Sequence, residues 1–383
     1  MVDKELAIRP NQREGFDLIW RRFPERQIKS SSVWWYVMLM PKQAEGYGPK
    51  QAMFSLNCMA GDTFTVNERR HPGFNRTPHM VGEDEHLNTV ALGWYFDGQK
   101  TYKKLVHDSA PAVLSPNGSI SGWKEGKDGR RYGGSFRAYG DKPFGMLGEF
   151  YGSGGGGVRF EAWGDPSSDT TSPGYVYDYD FKLAGFHVVS WRNMHFVGEI
   201  TSPSGSEFVE GIGYFQRVIF DVPLFPWRWV FAAFADGSVF SCTIAYAGLH
   251  MLRRKDDVYR APLEEAFLPI NNAGFFHPKG VDEAVHFTKA KVTRHSGDPY
   301  PAFSVECSND EGDFMSFQAV PHSHLQYILT RPFFGGRWNS KFNYNEYPFR
   351  MAELEGVING KMIDPQALGE GFGNCEYTWG LFL

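Results

Sequence analysis

Glu210-Gly211-Ile212-Gly213 recurs 160 residues further on as Glu370-Gly371-Phe372-Gly373. Both copies have the same surroundings. Phe196-Val197-Gly198-Glu199-Ile200, a Ser/Pro/Gly turn and a short polar run precede the first. Leu354-Glu355-Gly356-Val357-Ile358, a turn at Asn359-Gly360 and another short run precede the second. Aromatic residues follow each, Tyr214-Phe215 in one case, Tyr377 and Trp379 in the other. A period of this size is too long for a solenoid unit and matches a small domain. The spacing therefore predicts two related β domains in tandem, each closed by a Gly-x-Gly strand: residues 30–222 and 223–383, with 1–29 as an N-terminal extension.

Composition agrees with an all-β chain. Of 383 residues, 33 are Phe, 18 Tyr, 11 Trp and 43 Gly, which favours strands and tight turns over helices. Short hydrophobic segments broken by turn chemistry run from Ser30 onward, without alternating helices, as in a sandwich or barrel. The residues between Arg69 and His86 read as one long polar loop. Helical patterns are confined to Gln12–Phe23 and Pro262–Phe267. The net charge of −5 argues against nucleic acid as a partner. No apolar run approaches a membrane span, and the charged start Met1-Val2-Asp3-Lys4-Glu5 lacks a signal-peptide core, so a cytoplasmic location is expected. Cys58, Cys242, Cys307 and Cys375 are widely spaced and read as buried free thiols.

The chain end, Gly371-Phe372-Gly373-Asn374-Cys375-Glu376-Tyr377-Thr378, resembles the Gly-x-Gly-x-x-Glu-x-Thr ending of the tandem lipocalin-like proteins. These include the AttH-like proteins and the carotenoid 1,2-hydratases. The junction is similar too, with Gly211-x-Gly213-Tyr214, then Trp227-Arg228-Trp229, then Asp236-Gly237. Fungal decalin-forming cyclases share the two-barrel plan. The resemblance implies two lipocalin-like antiparallel β-barrels and a hydrophobic small-molecule substrate. After the junction aromatic the family usually places an acidic residue beside a basic one. Here Phe215-Gln216-Arg217-Val218 keeps the Arg and lacks the carboxylate. Cyclisation and isomerisation therefore rank level with hydration.

Strand alternation sorts candidate site residues into faces. From Trp191 to Glu199 it puts Trp191, Asn193, His195 and Glu199 together, an aromatic, an amide, an imidazole and a carboxylate, as a ligand cavity requires. His195 and Glu199 are the expected acid–base residues, with Trp191 and Asn193 binding substrate. Alternation in Tyr175–Phe181 makes Tyr177 and Tyr179 part of an aromatic wall, or else turns Asp178 and Asp180 inward. Trp227 and Trp229 are placed either to stack on a polyene or to plug a core. Asn374, Glu376 and Thr378 share a face that either meets solvent or lines the pocket, and Glu376 is taken as substrate-binding.

No metal is expected. His322 and His324 lack a glutamate four residues on, and His71, His79 and His86 fall in the polar loop. Gly152–Gly157 lacks a P-loop lysine, and no Gly-x-Ser-x-Gly elbow occurs, so no nucleotide cofactor and no serine nucleophile are expected. The best reading is a cofactor-independent lyase, isomerase or cyclase acting on an apolar terpenoid or polyketide-like molecule. A non-catalytic carrier of such a ligand and a carbohydrate-active all-β protein are the alternatives. Oligomeric state is not legible.

Overall fold

Alternating burial builds the first sheet in a computed structural model of the chain. In Gly145–Tyr151 the inward Met146 and Phe150 are buried, and in Gly157–Trp163 so are Val158, Phe160 and Ala162. Leu147, Glu149, Arg159 and Glu161 alternate with them and face outward, the period-two signature of a sheet covered on one face. The structure describes residues 17–20, 32–43, 46–74, 79–139, 145–164, 173–181, 184–220, 226–247, 260–264, 268–281, 283–333 and 338–382.

The chain divides into two compact units. The first holds residues 1–41, 50–64 and 70–223, and the second 42–49, 65–69 and 224–383. Three strands dominate the first: β1 (Ser32–Gln43), β2 (Ala184–Ser202) and β3 (Gly205–Phe220). β3 pairs antiparallel with both β1 and β2. From β1 the sheet continues through seven more strands to Gly157–Trp163, which pairs back on β2 and closes a ten-stranded antiparallel barrel. Aromatic side chains fill its interior. Phe136 meets Phe150 at 5.1 Å and Phe215 at 5.2 Å, both edge to face, and Phe54 lies 5.3 Å from Phe150. Residues 17–20 are helical, and Leu18, Ile19 and Trp20 join the same core. Trp35 Nε1 and Arg217 Nη1 both donate to the Ile19 carbonyl, at 3.2 and 3.1 Å.

The second unit repeats the closing-strand arrangement, with no barrel-closing strand pair among the described residues. Its strands β4 (Trp227–Phe234), β5 (Leu325–Phe333), β6 (Trp338–Ile358) and β7 (Gly371–Phe382) form the centre of a second large antiparallel sheet. β7 pairs with β4, the unit's opening strand, and with β6, as β3 does with β1 and β2. The repeated glycines fall at matching places, Gly213 opposite Leu39 and Met194, Gly373 opposite Ala232 and Phe349. At Gly373 a side chain has no room, and at Gly213 one would have to displace the end of Met194. A Cβ on Gly373 would stand 2.2 Å from the Phe231 carbonyl oxygen, and one on Gly213 2.7 Å from Met194 Cε.

Two expectations need correction. Arg69–His86 is not one loop, because Arg69–Pro72 and His79–Val81 are short strands and Asp84–Phe96 is a long one. Backbone ladder pairing overrides the polar composition. Within Pro262–Phe267 the described residues 262–264 contain no α-helix, and residues 265–267 lie outside the described set. All four cysteines are buried and free. Among the described residues no helix is long and apolar enough to cross a membrane.

Candidate functional site

Strand β7 has one face in the core of the second unit and one face opposite it. Cys375, Tyr377 and Trp379 belong to the core, so Asn374, Glu376 and Thr378 point the other way. The same holds on β4, where Val230 and Ala232 are core and Trp229 and Phe231 oppose them. On β6, Tyr347 and Phe349 are core while Tyr344 and Glu346 share the Glu376 face. That face is buried: Glu346, Asn374 and Thr378 are 0% exposed and Glu376 2%.

Here two carboxyl groups meet on one phenol. Tyr344 Oη lies 2.6 Å from Glu376 Oε1 and 2.7 Å from Glu346 Oε1. Trp227 Nε1 donates to the other oxygen, Glu376 Oε2, at 2.6 Å. A phenol carries one proton and can donate only once. The second short contact is a hydrogen bond only if a carboxylic acid supplies a further proton. The three groups therefore share two protons along a line, with the indole N–H at one end. Trp227 is fixed by stacking on Phe342 at 5.1 Å, and its backbone N–H donates to Thr378 Oγ1 at 2.7 Å. Trp229 and Phe231 lie parallel at 6.0 Å on the same face. Across from Tyr344 on β5 stands Tyr327, its ring 6.1 Å away. Burial, and then the neighbouring Glu346 carboxyl, push the Tyr327 hydroxyl well above the usual phenol range.

On the core side of the same strands, Arg228 is held between the rings of Tyr246 and Tyr377, 4.5 and 4.6 Å from their centroids. It donates to Glu264 Oε2 at 2.5 Å, to Tyr377 Oη at 3.2 Å and to the Val292 carbonyl. Burial opposes its charge, but Tyr377, Tyr246 and Glu264 outweigh that and hold its pKa above the ordinary value. This arginine is tied into the core and has structural work.

The sequence-derived residues separate. Trp191 is 0% exposed and packs in the first unit's core. A β-bulge between Trp191 and Met194 shifts the register, so the next core residues are Met194, Phe196 and Ile200. His195 and Glu199 thus leave the face of Trp191. His195 is half-buried with its ring 6.3 Å from Trp163, and Glu199 is exposed opposite Arg159 and Phe208. Asn193 is half-buried beside the bulge. Tyr177 and Tyr179 lie in the strand Pro173–Phe181, and their side chains fall outside the described residues. Of the expected residues, Trp227 and Glu376 come together, with Trp229 directly opposite Glu376. Tyr344 and Glu346 went unnoticed. Their signal was the alternation Phe342-x-Tyr344-x-Glu346, a run of the kind that marked Trp191–Glu199.

Among the described residues no three His, Cys, Asp or Glu side chains are placed to hold a metal. His71 is buried with His107, their Nε2 atoms 3.2 Å apart, while His79 and His86 pair across neighbouring strands. His324 stacks on Tyr347 at 4.6 Å. His322 is different, because burial lowers its pKa from 6.5 to about 4, against a hydrogen bond with the Pro49 backbone. Between these pH values the unfolded chain binds more protons than the folded one, so stability is complete above pH 6.5 and falls toward pH 4. A depression of this size is worth roughly 3 kcal/mol. Urea midpoints at pH 7 and 4.5 should differ in the wild type, and His322→Gln should flatten that difference.

The first unit carries its own polar recess of about 330 Å³, lined by Lys50, Asp97, Gln99, Glu207 and the Ser202–Ser206 turn. Its charged groups are already engaged. Glu207 accepts from Lys50 Nζ at 2.6 Å and from Tyr95 Oη, and Asp97 accepts from the Gln99 and Lys100 backbone.

No protein-family profile matches the chain, and no curated protein is detectably similar in sequence. Among solved structures, an AttH-like protein from Nitrosomonas europaea is similar over 98% of both chains, at 13% identity and a TM-score of 0.52. The fold is the tandem lipocalin-like fold of the AttH type. Two further structures share the coverage at lower similarity. CghA with Sch210972 is 10% identical over 98% of both chains, with a TM-score of 0.46. Kievitone hydratase from Nectria haematococca is 9% identical over 95% of this chain and 94% of its own, with a TM-score of 0.41.

Proposed function

We propose that this chain is a cofactor-independent acid–base enzyme, a lyase, isomerase or cyclase, acting on a hydrophobic terpenoid or polyketide-like molecule at the Glu376 face. One observation carries the reading: a single phenol, Tyr344, within 2.7 Å of two buried carboxyl groups. The two carboxyls share one proton through Tyr344, so one acts as the carboxylate while the other is the acid. Such a pair supplies a base and an acid joined by a phenol. One carboxyl takes a proton from a C–H or a water while the other delivers one to an alkene or carbonyl, and Tyr344 returns the proton between them. Trp227, Trp229, Phe231 and Phe342 supply apolar surface against which a flexible substrate is held in a reactive shape.

Incubation with a panel of apolar isoprenoids and linear polyenes in D₂O tests this. Proton transfer to carbon predicts a deuterium mass shift in a bound panel member, lost in Glu376→Gln. Binding with no mass shift in any member would assign the chain to the carriers instead. His195 and Glu199 remain the competing acid–base pair. Loss of exchange in His195→Ala and Glu199→Gln, with exchange kept in Glu376→Gln, would move the chemistry to the first unit.

A further inference from the structure

Asn374 is 0% exposed, and neither its Oδ1 nor its Nδ2 has a hydrogen-bond partner among the described residues. Its place on β7 explains why. It lies two residues before Glu376 on the same face, opposite Phe231 on β4 and Pro348 on β6. Neither flanking side chain has a donor or acceptor to offer. Leu has nearly the same shape, so an amide here weakens the unit relative to Leu unless something pairs with it. A second buried group on this side of the sheet, the Tyr327 hydroxyl, is likewise without a partner among the described residues.

We propose that Asn374 recognises a neutral carboxamide-type group on the substrate, its Nδ2–H donating to the carbonyl oxygen and its Oδ1 accepting the adjacent N–H. The inference rests on the Glu376 face being the substrate site, and it adds a chemical class to that reading. An amide side chain offers one donor edge and one acceptor edge, and only a partner with both satisfies it. An ester or ketone leaves Oδ1 unpaired. A carboxylate sets oxygen against oxygen, and it would add negative charge to a face that already carries Glu346 and Glu376. Two residues along a strand is about 7 Å, so the recognised group lies that far from the carbon that exchanges a proton at Glu376.

The test compares Asn374→Leu with wild type, free and with two matched probes, oleamide and methyl oleate. Without ligand, Asn374→Leu should melt higher, by about 2–4 °C for each 1 kcal/mol gained by removing unpaired atoms. In isothermal titration the wild type should bind oleamide at least tenfold more tightly than methyl oleate, and Asn374→Leu should bind both equally. A lower melting temperature in the variant means that bound water already satisfies the amide, and overturns the proposal. So does equal binding of the two probes, or no binding of oleamide, by the wild type. Deuterium exchange in Glu376→Gln reads the acid–base function separately. An oleamide preference with exchange intact in Glu376→Gln removes the chemistry and keeps the amide site, and the opposite pattern does the reverse.

Discussion

Glu376→Gln is expected to slow turnover by roughly 10²–10⁴-fold, the range that proton transfer by a positioned side chain supplies, while the protein stays folded. Gln keeps the shape of Glu and one carbonyl oxygen, so Trp227 Nε1 still has an acceptor. What it cannot do is take up a proton. Because the lost interaction belongs to the transition state, kcat should fall with little change in KM. Glu346→Gln should be comparably slow, since it removes the second of the two carboxyls that share a proton through Tyr344. The double variant should be little slower than either single one, because groups that work as a unit through one phenol are not additive. Tyr344→Phe tests the connection itself. It leaves both carboxyls in place with no hydroxyl between them, and the pH–rate profile should change shape as well as height. Melting temperature and circular dichroism separate these outcomes from unfolding. Glu376→Gln with near wild-type kcat would exclude the cluster from catalysis.

The glycine repeat was legible because it records a hard steric fact. Gly373 sits against a backbone carbonyl that tolerates no Cβ, so its residue type is fixed, while a Cβ at Gly213 would displace only the end of Met194. The repeat marks the closing strand of each unit, whereas the return of that strand to its unit's first is seen only in the pairing. The proposed site was harder. The alternation from Trp191 to Glu199 was extrapolated through a bulge, and one added residue turns every later side chain to the opposite face. Glu376 was visible as part of a polar trio, but its meaning depends on Tyr344, 32 residues away and adjacent only through strand pairing. Local periodicity says which way a residue points within its strand. It does not say what stands across from it.

The two units also solve one packing problem in reversed ways. Trp35 on β1 faces Arg217 on β3, with the guanidinium 5.0 Å from the indole. At the matching position Arg228 on β4 faces Tyr377 on β7, at 4.6 Å. The buried arginine has changed strands while the aromatic–cation pair has been kept. Its partners differ accordingly. In the first unit the Leu18 and Ile19 carbonyls accept from Arg217, and burial drives its pKa down to about 9, opposed by Glu85 and Cys58. In the second unit a carboxylate, Glu264, takes that place. The Arg217 that stood out beside the missing junction carboxylate is therefore a core residue of the first barrel.

Arg228→Leu should consequently be among the most destabilising single changes in the second unit, costing about 3–5 kcal/mol, the usual penalty for removing one partner of a buried ion pair. The substitution strands the Val292 carbonyl, deprives Glu264 of its cation and empties the slot between Tyr246 and Tyr377. For a unit of this size the loss corresponds to a fall in melting temperature on the order of 10 °C. Glu264→Leu alone should cost less, because the Glu264 side chain is 31% exposed and water screens what remains of its charge. The double variant Arg228→Leu/Glu264→Leu should recover part of the loss, since an apolar pair of similar volume replaces a buried ion pair at little net cost. A coupling between the two sites near zero in that cycle would mean that Arg228 acts through its ring and Val292 carbonyl contacts rather than through Glu264. Equal and small effects in both single variants would show that the second unit's core does not depend on this arginine.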